Sequence, residues 1–168
     1  MKLIKPPQIE KLSYHDTLIF LGGSIEMGKA IDWQSKVSES LRDLDVVVAN
    51  PRRDDWDNSW KQDPVPGTPF YEQVKWELDH QISSDIIIYN FVPDTVSPIT
   101  LLKLGLFCGM TEKKILVCCP KNYFRYGNVV MTVKWIDNPH HVLYEDLDDL
   151  VKDLPEKINQ VKKGKIQI

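Results

Sequence analysis

Trp56 and Trp60 stand beside three aspartates in the segment NPRRDDWDNSW, and this set of side chains suits the recognition of a sugar joined to a base. Indole rings can stack on a base, a contact worth about 1–3 kcal/mol. The carboxylates of Asp54, Asp55 and Asp57 can accept hydrogen bonds from sugar hydroxyls. A plainer interpretation fits equally well, because an exposed acidic loop can simply be anchored by its tryptophans.

Charged residues near this segment are further candidates for a binding site. Arg52 comes after the second predicted strand, where it can bind a phosphate or pair with the neighbouring aspartates. Asp79 shares one face of a predicted helix with Glu72 and Trp76. Charged residues at this spacing usually form a solvent-exposed helix face. The presence of Trp76 in the same row favours a binding site instead.

Two turns that follow predicted strands carry small and polar residues. GGSIEMG at residues 22–28 can turn tightly or admit a ligand, although it matches neither the dinucleotide motif nor the P-loop. A ligand-binding turn and a structural turn both remain open. After the other strand come Asp94 and then Ser97-Pro98, which are typical of a helix N-cap and first helical position. Lys103 is unexpected so near the positive end of that helix.

Composition excludes several classes of function. The 168 residues are predicted to form one domain, and a net charge of −3 gives no electrostatic basis for binding a nucleic acid polymer. No apolar run is long enough to cross a membrane, and no export signal is recognised at the N-terminus. The three cysteines lie in apolar segments and fit buried thiols of a cytoplasmic protein. The histidines show no spacing with them that predicts a metal site.

Short apolar strands alternate with helical patterns along the chain. After an irregular arm at residues 1–16, strands are predicted at 17–21, 46–49, 85–91, 114–119 and 141–144, with helices at 30–44, 70–83 and 147–161 and a further helix that begins at Ser97-Pro98. Val74, Leu78 and Ile82 are predicted to form the inner stripe of the second helix. The alternation indicates an α/β fold with a parallel sheet, covered by helices on both faces, and a strand order of 2-1-3-4-5.

That strand order predicts where a site would lie. The switch point falls between the first and third strands, which brings Gly22, Gly23 and Ser24 beside the turn at residues 94–98. The long loop at residues 50–69 closes one side of the resulting crevice. Loops of that length in compact domains are usually functional or disordered, and the embedded tryptophans favour function.

Four segments together resemble one protein family. FLGGSIEMGKAIDWQ, NPRRDDWDNSW, WELDHQISSDIII and SPITLLKLG, in this order and spacing, resemble the nucleoside 2-deoxyribosyltransferase-like family. The resemblance implies a flavodoxin-like, doubly wound, five-stranded sheet in a homo-oligomer. It also implies base exchange on 2-deoxyribose through a covalent sugar–enzyme intermediate, with a small-molecule nucleoside or nucleotide as ligand and no cofactor.

The resemblance also assigns roles to individual residues. A glutamate in a Glu-Leu-Gly element is the family nucleophile, Asp79 matches an aspartate that positions it, and Asn128 matches an asparagine supplied by a neighbouring subunit. The predicted catalytic positions are therefore Lys103, Asp79 and Asn128. The predicted substrate contacts are Gly22, Gly23, Ser24, Asn50, Arg52, Trp56, Asp57, Asp94, Ser97 and Met131.

The sequence departs from the family pattern at the nucleophile. It reads Lys103-Leu104-Gly105 where the family has Glu-Leu-Gly, so an amine replaces the carboxylate. Loss of a covalent nucleophile commonly costs several powers of ten in rate. Impaired or absent base exchange is favoured over exchange through a nucleophilic lysine. A non-catalytic nucleotide-binding or sensing module and an N-glycoside hydrolase are the alternative functions.

Overall fold

The computed structural model describes residues 1–57, 59–110 and 113–166 of the chain. Its strands are β1 (Lys2–Ile4), β2 (Leu18–Gly23), β3 (Val47–Ala49), β4 (Ile86–Asn90), β5 (Lys114–Cys118) and β6 (His141–Tyr144). Its α-helices are α1 (Trp33–Ser40), α2 (Pro69–Ser83), α3 (Pro98–Cys108), α4 (Tyr126–Ile136) and α5 (Leu147–Ile166), and a 3-10 turn spans Glu26–Gly28. None of the described helices is both long and apolar enough to cross a membrane.

The strands form one parallel sheet in the order β1-β3-β2-β4-β5-β6. Without β1 this is the order predicted from the sequence, and the prediction of a doubly wound, flavodoxin-like sheet is confirmed. The number of strands was too low by one. Because Lys2–Ile4 is only three residues long and is followed by Pro6-Pro7, no strand periodicity is visible there.

Residues 1–16 were predicted to form an irregular arm, but the first of them form a strand. Lys2 N donates to Val46 O at 2.9 Å, Asn50 N donates to Ile4 O at 2.9 Å, and the Ile4 side chain is fully buried. β1 thus extends the sheet beside β3 and stabilises the start of the loop that follows β3.

Two apolar layers enclose the sheet. α1 and α5 pack on one face through residues such as Trp33, Val37 and Leu154. α2, α3 and α4 pack on the other through residues such as Trp76 and Leu104. Both faces of the central strands are therefore buried, which is why β4 reads as a continuous apolar run.

The predicted inner stripe of α2 is wrong. Ile82 is exposed, and Val74 and Leu78 are only partly buried, whereas the fully buried positions are Gln73, Trp76 and Gln81. The helix turns its glutamines inward because they have hydrogen-bond partners there. Gln81 Oε1, for example, accepts a hydrogen bond from Tyr89 Oη at 2.5 Å. An apolar-spacing rule cannot register polar residues that are buried in pairs.

Candidate functional site at the carboxyl ends of the strands

The turn after β2 lies directly against the segment after β4, as the strand order predicts. Ser24 N donates to Asn90 O at 2.9 Å, and Ser24 Oγ lies 2.8 Å from Thr95 Oγ1 and 2.7 Å from Ser97 Oγ. Gly23 has φ +151°, and a Cβ built there would lie 2.4 Å from Asn90 O. Only glycine permits this approach of the two chain segments.

Ser97 occupies the N-cap position of α3, and Pro98 is the first residue of the helix. The Ser97 side chain does not cap the helix, because its hydroxyl bonds to Ser24 and Thr95 instead. Glu26, which sequence reasoning missed, instead binds the backbone just before the helix. Glu26 Oε1 accepts hydrogen bonds from Val96 N at 3.0 Å and Ser97 N at 2.7 Å. A carboxylate is favourable at this positive helix end.

Lys103 projects inward from α3 and forms an ion pair with Glu77 of α2. Their side chains are only 10% and 19% exposed, respectively. Glu77 was not among the predicted site residues, because a glutamate in this helix reads as a surface residue. The pair puts an ammonium and a carboxylate together at the position where the family resemblance expects a nucleophile.

A chain of hydrogen bonds runs from this ion pair to the loop after β3. Gln73 Nε2 donates to Glu77 Oε1 at 2.7 Å and to Pro51 O at 3.2 Å. Gln73 Oε1 accepts a longer hydrogen bond from Arg53 NH1, at 3.5 Å. Gln73 therefore connects the Lys103–Glu77 ion pair by hydrogen bonds to the loop after β3, which was predicted to bind the ligand.

The tryptophans of that loop are organised by Arg53. Its guanidinium bonds both carboxylate oxygens of Asp55, at 2.7 and 2.8 Å, and lies 4.9 Å from the Trp60 ring centroid. This hydrogen bonding lowers the pKa of Asp55 and raises that of Arg53. The Trp56 and Trp60 ring centroids are 5.2 Å apart, and Trp56 is 38% exposed. The partly exposed indole of Trp56 thus packs against Trp60, which in turn contacts the Arg53 guanidinium.

Arg52 and Asn50, both predicted substrate contacts, hold two loops together in the structure. The Arg52 guanidinium donates to Gly28 O at 3.0 Å, Ala30 O at 2.9 Å and Ile31 O at 3.2 Å. Asn50 Oδ1 accepts a hydrogen bond from Arg52 N at 2.9 Å. Their contacts tie the loop after β2 to the loop after β3.

Asp79 is not brought to Lys103, which corrects the role predicted for it. Its carboxylate pairs with Lys75 on the exposed side of α2, one turn away. The spacing that linked it to Trp76 was misleading, because Trp76 faces the core while Asp79 faces solvent. Glu77 is the acidic residue of α2 that reaches position 103.

The remaining predicted contacts differ in their surroundings. Asp57 Oδ1 accepts a hydrogen bond from Ser59 N at 2.8 Å, and this bond lowers the Asp57 pKa. Asp94 is exposed in a turn with φ +64°. Asn128 and Met131 lie on the exposed side of α4.

The described residues contain no cluster of three or more histidine, cysteine or acidic side chains that could hold a metal ion. The cysteines are buried, and burial raises the pKa of each thiol to about 12. Unreactive core thiols are the result.

These features define a flavodoxin-like α/β protein in which hydrogen bonds link a buried ion pair to a Trp-bearing loop after β3. A family model described as "Nucleoside 2-deoxyribosyltransferase like" matches residues 16–123, more than half of the 168-residue chain. The chain belongs to this nucleoside 2-deoxyribosyltransferase-like family. The match includes the Trp-bearing loop, Glu77 and Lys103, and it ends before Asn128.

Solved structures support the fold. The crystal structure of a conserved protein from Enterococcus faecalis V583 is similar, with a TM-score of 0.59 and 13% sequence identity. The similarity covers 86% of this chain and 98% of that protein. At this identity the likeness shows the fold alone. The search of curated proteins gave no match.

Proposed function

We propose that the protein binds a deoxynucleoside or nucleotide in this crevice and that base exchange is impaired or absent. The observation that carries the proposal is the Lys103–Glu77 ion pair. Retaining transfer at an N-glycosidic bond needs a carboxylate free to attack the anomeric carbon and a second group to donate a proton. Here the position of the attacking group holds an ammonium.

The ion pair also argues against a nucleophilic lysine. A lysine attacks only as the neutral amine, and its activation requires a desolvated or cationic environment that removes the proton. Lys103 instead contacts the carboxylate of Glu77. Its side-chain nitrogen is therefore engaged in a partly buried ion pair and is not free to attack a sugar.

The Trp-bearing loop supports ligand binding without turnover. Trp56 is partly exposed above a framework made of Trp60 and Arg53. A base can stack on this indole, while the crevice between β2, β3 and β4 receives the sugar. An α/β sheet of this order binds its ligands at the same edge.

We also propose that the protein is a cytoplasmic homo-oligomer whose subunits complete one another's crevices. α3 exposes Ile99, Leu102 and Leu106 along one side, with Leu102 69% exposed, and α4 exposes Met131 and Trp135. These helices pack on the same face of the sheet. Apolar residues in such number on one face favour association. Asn128 lies on the exposed side of α4, where it can reach a neighbouring copy.

A chromatographic assay tests the proposal. The protein is incubated with deoxynucleosides, with and without a second free base, and binding is measured separately by calorimetry. We expect binding with neither a new nucleoside nor a released base. A new nucleoside would establish transfer and contradict impairment. Release of base alone would establish the hydrolase, and absence of binding would remove the proposal altogether.

A further inference from the structure

We propose that the protein has a second binding site, for a phosphomonoester with an aromatic or apolar body, in a cavity at the opposite edge of the sheet from the crevice. The cavity has a volume of about 820 Å³ and lies where β4, β5 and β6 begin. β4 is five residues long, so about 16 Å of strand separate the cavity from the carboxyl ends of the sheet. This site is therefore distinct from the proposed nucleoside crevice and does not depend on it.

The charges that line the cavity are mostly positive. Among its described lining residues, Lys113, Lys114 and Lys165 stand against the single carboxylate of Asp85. Asp85 pairs with Lys165, at 2.8 Å, and not with the other two lysines. This local excess has the opposite sign to the net charge of −3 of the whole chain. A cavity that concentrates one sign of charge attracts ligands of the other sign.

Lys113 and Lys114 contact only neutral acceptors within the part of the chain that the structure describes. Lys113 Nζ donates to Ile82 O and, at 2.9 Å, to Ser84 O, at the C-terminal end of α2. Lys114 Nζ donates to Gln160 Oε1 of α5 at 2.9 Å. Because an ammonium group has three donors, Lys113 retains one donor for a ligand and Lys114 retains two.

Both lysines are also partly shielded from water. Burial lowers the pKa of Lys113, and burial together with the nearby Lys157 lowers the pKa of Lys114. A charge in such surroundings loses hydration that neutral acceptors replace only in part. Capping of the last carbonyls of α2 accounts for Lys113, but it does not account for Lys114 at the start of β5. An anion bound beside the two ammonium groups would stabilise both.

The size of the cavity and its other walls indicate the class of ligand. A volume of about 820 Å³ falls within the range of sites for small organic molecules. The Tyr14 ring, with the Lys165 ammonium 5.7 Å from its centroid, and the side chains of Met110 and Val161 provide aromatic and apolar surface. His140 also lines the cavity and can donate a hydrogen bond. A phosphomonoester carries a charge of about −1.5 to −2 near pH 7, which matches two lysines.

Calorimetric titration with phenyl phosphate, in a buffer without phosphate or sulfate, tests the site on the wild type, Lys114→Gln and Lys152→Gln. Lys114 is chosen because Lys113 also contacts the end of α2. Lys152 is exposed on α5 and does not line the cavity, so its variant controls for net charge. We expect Lys114→Gln to bind about tenfold more weakly, because it loses a hydrogen bond to a charged group, and Lys152→Gln to bind as the wild type does.

Three further measurements define the ligand and its place. Inorganic phosphate should bind at least about tenfold more weakly than phenyl phosphate, because it buries no apolar surface. Tyr14→Ala should weaken the binding of phenyl phosphate several-fold and leave that of inorganic phosphate unchanged. A deoxynucleoside in excess should not displace phenyl phosphate, because the crevice lies at the other edge of the sheet.

A folded wild type that does not bind phenyl phosphate would overturn the second site. Unchanged affinity in Lys114→Gln would overturn it too, and if urea denaturation shows that this variant does not fold, Tyr14→Ala decides in the same way. Displacement by the deoxynucleoside would place the phosphate compound in the crevice and refute a separate site. Equal affinity for inorganic phosphate would overturn the assignment of an organic ligand. None of these results bears on nucleoside binding, which is measured with the deoxynucleoside alone.

Discussion

Lys103 of α3 and Glu77 of α2 form an ion pair inside the protein, and Gln73 connects that pair to the loop carrying Arg53 and the tryptophans. A buried pair of this kind is costly to break, because removing one partner leaves an uncompensated charge. A substitution at position 103 is therefore expected to change the charge balance at Glu77 as well.

Replacing Lys103 with glutamate is expected to raise base exchange or base release by several powers of ten. Two carboxylates in contact in a buried site cannot both ionise, so one can attack while the other holds a proton. Chromatography of the deoxynucleoside reaction measures the change. Lys103→Gln removes the ammonium without adding a carboxylate and should stay inactive. A Lys103→Glu protein that binds ligand normally yet remains inert would contradict the assignment of position 103.

Glu77→Gln is expected to lower the free energy of unfolding by about 3–5 kcal/mol, because the Lys103 ammonium then lacks its counter-charge. Urea denaturation measures this. Adding Lys103→Met to Glu77→Gln should recover most of the loss. Asp79→Asn, which affects only an exposed pair on the same helix, should have little effect. Similar losses for the variants at 77 and 79 would argue against a special role for the buried pair.

Trp56→Ala should weaken nucleoside binding by about 1–3 kcal/mol, the usual value of a base stacked on an aromatic ring. Trp56→Phe should retain most of the affinity because it keeps a stacking surface. Calorimetric titration distinguishes the two variants. Unchanged affinity in Trp56→Ala would place the base elsewhere.

Leu102→Asp should convert the proposed oligomer to a monomer, since it places a charge in the middle of the exposed apolar row of α3. Light scattering coupled to size-exclusion chromatography measures the mass. Ile9→Asp alters another exposed apolar residue, in the N-terminal arm, and should leave the assembly intact. A wild type that is already monomeric would refute the assembly.

The free energy of unfolding should decrease as the pH falls below about 6.5, the ordinary histidine pKa. The residue responsible is His80, which is half-buried and stacks on Trp76 with ring centroids 3.9 Å apart. Burial lowers the pKa of folded His80. The unfolded chain therefore takes up a proton first, and the stability present above pH 6.5 is lost as the pH falls through the lowered folded value. His80→Gln should flatten the slope of unfolding free energy against pH in this range. An identical slope in the variant would exclude His80 as its source.

The strand order was predictable because each central strand is a short apolar run, and right-handed crossovers leave few possible orders. The meeting of Ser24 with the turn at residues 94–98 followed from that order. Lys103 was found through its departure from a family pattern. The surroundings of Lys103 were not predicted, because Val74, Leu78 and Ile82 were taken to mark the buried face of α2.

The correct phase of α2 had a weaker signal in the sequence. Gln73, Trp76, Glu77 and Gln81 repeat at helical spacing, but three of them are polar and read as surface residues. Each polar side chain is held inside by a partner outside the helix, such as Lys103 or Tyr89. Glu26 escaped notice for a related reason, because its positive φ and its hydrogen bonds to residues 96 and 97 depend on how two remote turns meet.

The crowding at Gly23 limits how this crevice can be remodelled. A methyl group there would collide with Asn90 O, at 2.4 Å, and with the Trp33 ring, at 2.6 Å, and neither obstacle can easily move. Directed evolution toward a new ligand should therefore change residues that flank the two turns and retain glycine at position 23.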